Sequence, residues 1–209
     1  MKPNVGMVYP VCAPVNVYTP GTGITYNAGS VVSEARSASI SWDRADGEFY
    51  GDDILLDSDN GVLGYTIDFE PAGLKDAIRA TLLGEVAGDG LTEYSVTDAA
   101  APYVGFGYIR VMRDNATGTV VTNYEAWWYY RVQFSVNSEE TRTKERNIEW
   151  RVPTLSGRGT GVRLSSGDTV TFAVHETFES YEAAKAWLNA KRATPENTLK
   201  PATRSDNRD

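Results

Sequence analysis

The stretch from Tyr124 to Val136 constrains this chain more than any other. Tyr124, Ala126, Trp128, Tyr130, Val132, Phe134 and Val136 alternate with Glu125, Trp127, Tyr129, Arg131, Gln133 and Ser135. A period of two is the signature of a strand with one buried face. At about 3.3 Å per residue the strand would reach roughly 40 Å, well beyond the usual length. The same alternation recurs at Ala38, Ile40 and Trp42, and at Leu63, Tyr65, Ile67 and Phe69. It returns at Val104, Phe106 and Tyr108, at Ile148, Trp150 and Val152, and at Val170, Phe172 and Val174. The first two of these runs are expected to pair as a hairpin with a very long tip, the acidic loop Asp43 to Asn60. The fold class is therefore mainly β.

Two helical patterns interrupt the strands. Pro71 to Gly84 places Leu74, Ala77, Ile78 and Leu82 on one stripe, with Pro at the opening and Gly at the close, and this helix should lie on a sheet. Ser180 can cap a second helix running through Asn189. Its first turn carries Glu182, Lys191 and Arg192 lie near its end, and Tyr181, Ala184, Trp187 and Leu188 share one side. The expected organisation is a single β domain over 1–192 and a polar tail over 193–209, whose near lack of apolar residues predicts disorder.

Charge is placed unevenly. Of 209 residues, 28 are acidic and 20 basic, for a formal net charge of -8. The segment from Glu34 to Glu70 holds ten acids and two bases, so it accounts for that whole charge, while the remainder balances at 18 of each. A nucleic-acid grip needs clustered Lys and Arg to displace counterions, and an acidic chain with a pI near 4.8 argues against one. One cysteine, Cys12, cannot form an internal disulfide, and one histidine, His175, cannot build a His-rich zinc site. The N-terminal residues lack a secretory pattern and no run of about 18 apolar residues occurs, so synthesis in a cytoplasm without a membrane anchor is expected.

Motifs for chemistry are sparse. Asp57, Asp59, Asn60, Gly61 and Asp68 resemble a calcium loop, but the Gly falls one position early and the bidentate Glu is missing. GRGTG at Gly157 to Gly161 has no strand-and-helix frame for phosphate and reads as a flexible bend. His175 falls on the polar side of its strand, facing solvent. No catalytic residue, cofactor or metal is assigned, and enzyme activity has no positive support.

Taken in order, a set of segments resembles the major tail protein, or tail tube protein, of long-tailed phages with non-contractile tails. These are YGDD at Tyr50 to Asp53, GYTIDFEPAGLKDAIRATLLG ending at Gly84 and APYVGFGYIRV at Ala101 to Val111. They continue with YEAWWYYRVQF at Tyr124 to Phe134, WRVPTLSGRG at Trp150 to Gly159 and FESYEAAKAWL at Phe178 to Leu188. The resemblance implies a β-sandwich or barrel with a flanking helix, made in the host cytoplasm. It further implies hexameric rings stacked into the tail tube of a virion, in contact with terminator, tape-measure and distal tail proteins. The genome would pass through during ejection without specific binding, and an acidic wall, on the order of -48 for six copies, would lower friction on DNA.

The resemblance also implies that the long loop reaches the next ring, which assigns Asp46, Glu48, Tyr50, Asp52, Asp53, Asp57 and Asp59 to inter-ring contact. Their charge needs a basic counterpart, expected at Arg142, Lys144, Arg146, Arg158 and Arg163. Trp127 and Tyr129, aromatic on an otherwise polar strand face, are expected at a subunit interface. Sheets that continue between neighbours need an edge strand, and the long strand at Tyr124 is the candidate. Two other classes remain: a monomeric β-sandwich module binding a ligand such as carbohydrate on Trp127 and Tyr129, and a hydrolase using carboxylates.

Overall fold

Alternating apolar side chains need cover, and here one long antiparallel sheet supplies it by coiling on itself. The structure is a computed structural model describing residues 3–51, 54–59, 61–87, 92–93, 101–114, 121–138, 152–164 and 169–193. Its strands are β1 (Asn4–Thr19), β2 (Gly23–Tyr26), β3 (Ser30–Val31), β4 (Ala35–Arg44), β5 (Gly47–Gly51), β6 (Ile54–Asp59) and β7 (Val62–Pro71). After helix α1 (Asp76–Leu83) come β8 (Val86–Ala87), β9 (Thr92–Glu93), β10 (Tyr103–Asp114), β11 (Val121–Ser138), β12 (Thr154–Gly159), β13 (Ala173–Phe178) and helix α2 (Tyr181–Ala193). The main sheet runs β2-β1-β10-β11-β12-β7-β4, with β13 on β11 and β3 on β1; β5-β6 and β8-β9 form small ladders. β4 comes back near β1, which curls the sheet into a sandwich-like wrap around a core.

The hairpin expected between the two early alternating runs is present. Ala38 pairs with Phe69, Ile40 with Ile67 and Trp42 with Tyr65. β11 is the hub. Its outer edge pairs with β13 over Tyr124 to Tyr129 and with β12 over Val132 to Ser138, while β10 runs along the other edge. Over Tyr124 to Tyr129 the strand is paired on both edges and has no free edge there to offer a neighbour.

A bulge in β11 changes what its alternation means. Phe106 pairs with Tyr129 and Val104 with Val132, so Gly105 alone faces two residues, Tyr130 and Arg131. An extra residue reverses the parity of the strand. Trp128 and Tyr130 join one cluster with Val11, Ile24, Tyr26, Ile109, Ala184 and Leu188, under α2. Tyr129, Val132 and Phe134 join the other with Tyr65, Phe69, Phe106, Ile78 and Leu82, under α1. The sheet is thus buried on both faces, and the expected polar face of the strand is not polar throughout.

Two of the strands that the sequence-based expectations lack, β1 and β12, lie inside the main sheet. β1 is interrupted by Pro10 and Pro14, which disguise it; the register slips between Val8 and Val11, where Tyr9 adopts φ 55°. Proline is tolerated at such bulges because the ladder is already broken there. β12 contains Gly157 and Gly159, which read as a bend, yet it lies between β11 and β7 in regular pairing. A Cβ on Gly157 would sit 2.6 Å from the Phe134 ring, and one on Gly159 would collide with the Tyr65 ring. These glycines seat core aromatics rather than bend the chain.

Helix α1 begins later than expected. Pro71 ends β7 opposite Ala35, and the helix starts at Asp76 and stops at Gly84, whose φ of 72° is the left-handed cap that glycine accepts without strain. Arg79 clamps the residue beyond it, donating from Nε to Glu85 Oε2 at 2.9 Å and from Nη2 to Oε1 at 3.1 Å. Helix α2 opens as expected, the Ser180 hydroxyl oxygen accepting from the Ala183 amide at 3.2 Å, and runs on to Ala193 with Ala184 and Leu188 fully buried. The Ile148 to Trp150 run and residues 194–209 lie outside the described residues.

Candidate interaction surface

The acidic segment is a ribbon, not an irregular loop. β12 flanks β7 only between Tyr65 and Phe69, so from Trp42 and Tyr65 outward β4 and β7 have each other alone. Their ladder runs on through Arg44 and Val62 and the Ala45 amide bond to the Gly61 carbonyl at 2.7 Å. It then continues into β5 and β6, from Gly47 opposite Asp59 to Gly51 opposite Ile54. From Arg44 to Gly51 this adds an arm of roughly 20 Å at about 3.3 Å per residue.

Glu48, Tyr50, Asp57 and Asp59 take ladder positions on this arm, and Asp46, exposed, sits at its base. Asp57 and Asp59 are thus strand residues, an arrangement unlike a loop wrapped about calcium. Asp52 and Asp53, which link Gly51 to Ile54 in sequence, lie outside the described residues. At the root stand Leu63, 70% exposed, with Trp42 at 40% and Val62 at 37%. Trp42 packs inward against Tyr65, tilted at 5.5 Å between centroids, and edge-on against Phe172 at 6.0 Å. An apolar collar below a charged arm is the composition of an interaction surface, with a desolvated centre and a polar periphery.

The aromatic pair expected at an interface is divided by the structure. Tyr129 is 1% exposed and belongs to the core, stacked on Tyr108 and tilted against Tyr65. It is unavailable to a neighbour because the β11 bulge places it on the same face as Val132 and Phe134. Trp127 is half-buried and covered from within the chain. His175, directly opposite on β13, stacks on it at 4.3 Å, and the Arg110 guanidinium lies 4.7 Å from the ring centroid. The Trp127 indole donates to Glu125 Oε2 at 2.6 Å, and the His175 imidazole approaches Glu125 Oε1 at 3.8 Å. His175 itself is exposed, as its strand position indicated. The two rings do not form a flat open platform for a sugar.

Of the expected basic counterpart, Arg142, Lys144 and Arg146 lie outside the described residues. Arg158 is exposed on β12, between Gln133 and Thr66. Arg163 is exposed beside the β1–β2 turn, its amide donating to the Tyr18 hydroxyl at 3.0 Å and its carbonyl accepting from Gly21 at 3.1 Å. Beside Arg163, the Arg131 guanidinium lies above the same Tyr18 ring at 5.1 Å.

Burial pushes the Cys12 thiol up to about 12 and raises the Tyr26, Tyr65 and Tyr129 phenols above their ordinary value. Among the described residues no group of three or more His, Cys, Asp and Glu could hold a metal ion, and no helix is long and apolar enough to cross a membrane. No known family model matches this chain, and no curated protein matches it.

Proposed function

We propose that this chain is a self-assembling structural subunit whose copies form rings that stack into a tube, as the tail tube protein of a long-tailed phage does. The observation that carries the reading is the acidic ribbon standing on an apolar root. A two-stranded hairpin is marginally stable by itself in water, and a lone arm of β5 and β6 has no third strand or covering helix among the described residues. It gains stability when laid on another surface. Leu63, Trp42 and Val62 at its root supply apolar area that solvent leaves unpaid and a neighbouring copy would cover.

Two further features support the reading. No described strand pairs with the outer edge of β4, whose Ser37, Ser39, Ser41 and Trp42 are exposed. Its central residues carry no Lys or Pro, the usual guards against pairing with another chain. The chain's net charge of -8 suits a conduit that must not bind DNA. Hexameric rings, the virion tail as location and contacts with other tail proteins come from the resemblance.

The test is the state of purified protein under sedimentation and electron microscopy at rising concentration. Rings or tubes with a lumen wide enough for a duplex of about 20 Å are the expected outcome. A chain that stays monomeric at high concentration and under crowding refutes the reading.

A further inference from the structure

Where α2 ends against the chain that follows β2, the two segments lock each other. The Gly29 amide donates to the Arg192 carbonyl at 3.2 Å, and Arg192 Nη1 donates back to the Gly29 carbonyl at 3.2 Å. Arg192 Nε donates to Asn189 Oδ1 at 2.8 Å, an oxygen that also accepts from the Tyr9 hydroxyl at 2.8 Å. Only glycine allows this approach, since a Cβ on Gly29 would lie 2.5 Å from the Cys12 carbonyl oxygen and 2.9 Å from the Arg192 Cβ. The Arg192 guanidinium is therefore held in one pose by groups from two distant parts of the chain, with Nη2 left without an acceptor among the described residues.

Arg192 lines a groove of about 610 Å³ with Asn16, Tyr26, Asn27, Gly29 and Asn189, a volume typical of small-molecule sites. It is the only charged residue there. Lys191, its neighbour in sequence, is engaged elsewhere, with Nζ 4.8 Å from the Trp187 ring centroid. A single positive charge balances a carboxylate but leaves a phosphate dianion half neutralised, and a fork already held in place binds a carboxylate with little further loss of entropy. The rest of the lining is neutral and polar. Asn16 and Asn27 are exposed, and Asn189, its oxygen engaged, has Nδ2 to donate. Carboxamides both donate and accept, as sugar hydroxyls do. Tyr26, buried and fixed by its hydroxyl bond to the Tyr130 carbonyl at 2.8 Å, supplies an apolar wall.

We propose that this groove binds a sugar acid, with its carboxylate on Arg192 and its hydroxyls on the carboxamides of Asn16, Asn27 and Asn189. A free uronic acid and the uronate of an acidic polysaccharide present the same chemistry. The site shares no residue with the exposed root of β4 and β7, and it stands or falls separately from the tube-subunit reading.

The test is ligand-observed saturation-transfer NMR on the full chain, in whatever assembly state it adopts, with galacturonate as the probe. Saturable binding with a dissociation constant on the order of 1 mM is expected from one charge-assisted contact and a few neutral ones. Galactose, which lacks the carboxylate, and acetate, which lacks the hydroxyls, should each bind at least about tenfold more weakly. Arg192→Lys keeps the charge and loses the fork, and should weaken galacturonate by about tenfold. Asn27→Asp changes only an exposed side chain and sets a like charge in the groove, so it reads the site even if an Arg192 variant folds poorly. It should weaken galacturonate and leave galactose unchanged. Trigalacturonate binding more tightly than galacturonate supports the site with a polysaccharide as the source, and equal binding supports it with a free sugar acid. No saturable binding of galacturonate up to about 20 mM, tighter binding of galactose 6-phosphate, or an Asn27→Asp chain that binds galacturonate as the wild type does overturns the proposal. None of these outcomes bears on whether the chain forms tubes.

Discussion

At the residue scale, close packing around missing side chains decides most of the core. Gly105 and Gly107 leave room for the Trp128 indole, which donates from Nε1 to the Tyr26 hydroxyl at 3.3 Å; that hydroxyl donates in turn to the Tyr130 carbonyl at 2.8 Å. Gly159 gives the same room to Tyr65. Replacing Gly159 by Ala forces its Cβ into that ring, and overpacking of this kind should cost about 1–3 kcal/mol, read as a lowered urea midpoint. The buried phenols make a second prediction. Tyr26, Tyr65 and Tyr129 keep their protons in the folded chain well above pH 10, and burial takes Tyr130 to about 12. Unfolded tyrosines lose theirs near pH 10, so above that pH the native state binds more protons than the unfolded one. Stability is then fully present below about pH 10 and falls steadily as pH rises beyond it. Urea titrations at pH 8, 10 and 11 should show this decline, and replacing Tyr130 by Phe should soften it.

At the scale of elements, the contrast lies between β11, paired along both edges, and the two-stranded arm. Local opening follows such differences in support. Amide exchange in the unassembled chain should be slow across β10 and β11 and much faster in β5 and β6. Assembly should slow the arm, and an arm that exchanges equally fast in tubes would mean that nothing covers it. Deleting Glu48 to Asp57 leaves the β4–β7 ladder in place from Ala35 opposite Pro71 to Arg44 opposite Val62, so the shortened chain should still fold. It should form single rings at most. By contrast, changing Trp127 and Tyr129 together to Ser removes a core ring, so it reports on stability and says nothing of an interface.

At the scale of the whole molecule, charge is polarised along the sequence: ten acids and two bases fall between Glu34 and Glu70, and no acid occurs before Glu34. If copies meet through charged surfaces, such contacts are partly exposed and therefore screened, with a Debye length near 8 Å at physiological salt. Tubes should shorten or fall apart into smaller species as salt is raised, measured by sedimentation, whereas the unfolding midpoint of the dissociated chain should move little. Assembly that is indifferent to salt would place the contact in the apolar root alone.

The mainly-β class, the β4–β7 pairing and the α2 cap were legible in the sequence, because each depends on neighbours a few residues apart or on a period of two. So was the polarity of charge along the chain. Other features depend on contacts distant in sequence, and only the tertiary structure decided them. The bulge opposite Gly105 inverted the meaning of alternation in β11 and drew Tyr129 into the core. The prolines of β1 and the glycines of β12 concealed strands whose ladder partners lie about 90 residues away. Arg131, Arg163 and Arg192 became neighbours of one hairpin because the sheet coils and α2 folds back over it. Each of these rests on which surfaces meet, and a linear pattern records only which side chains are able to.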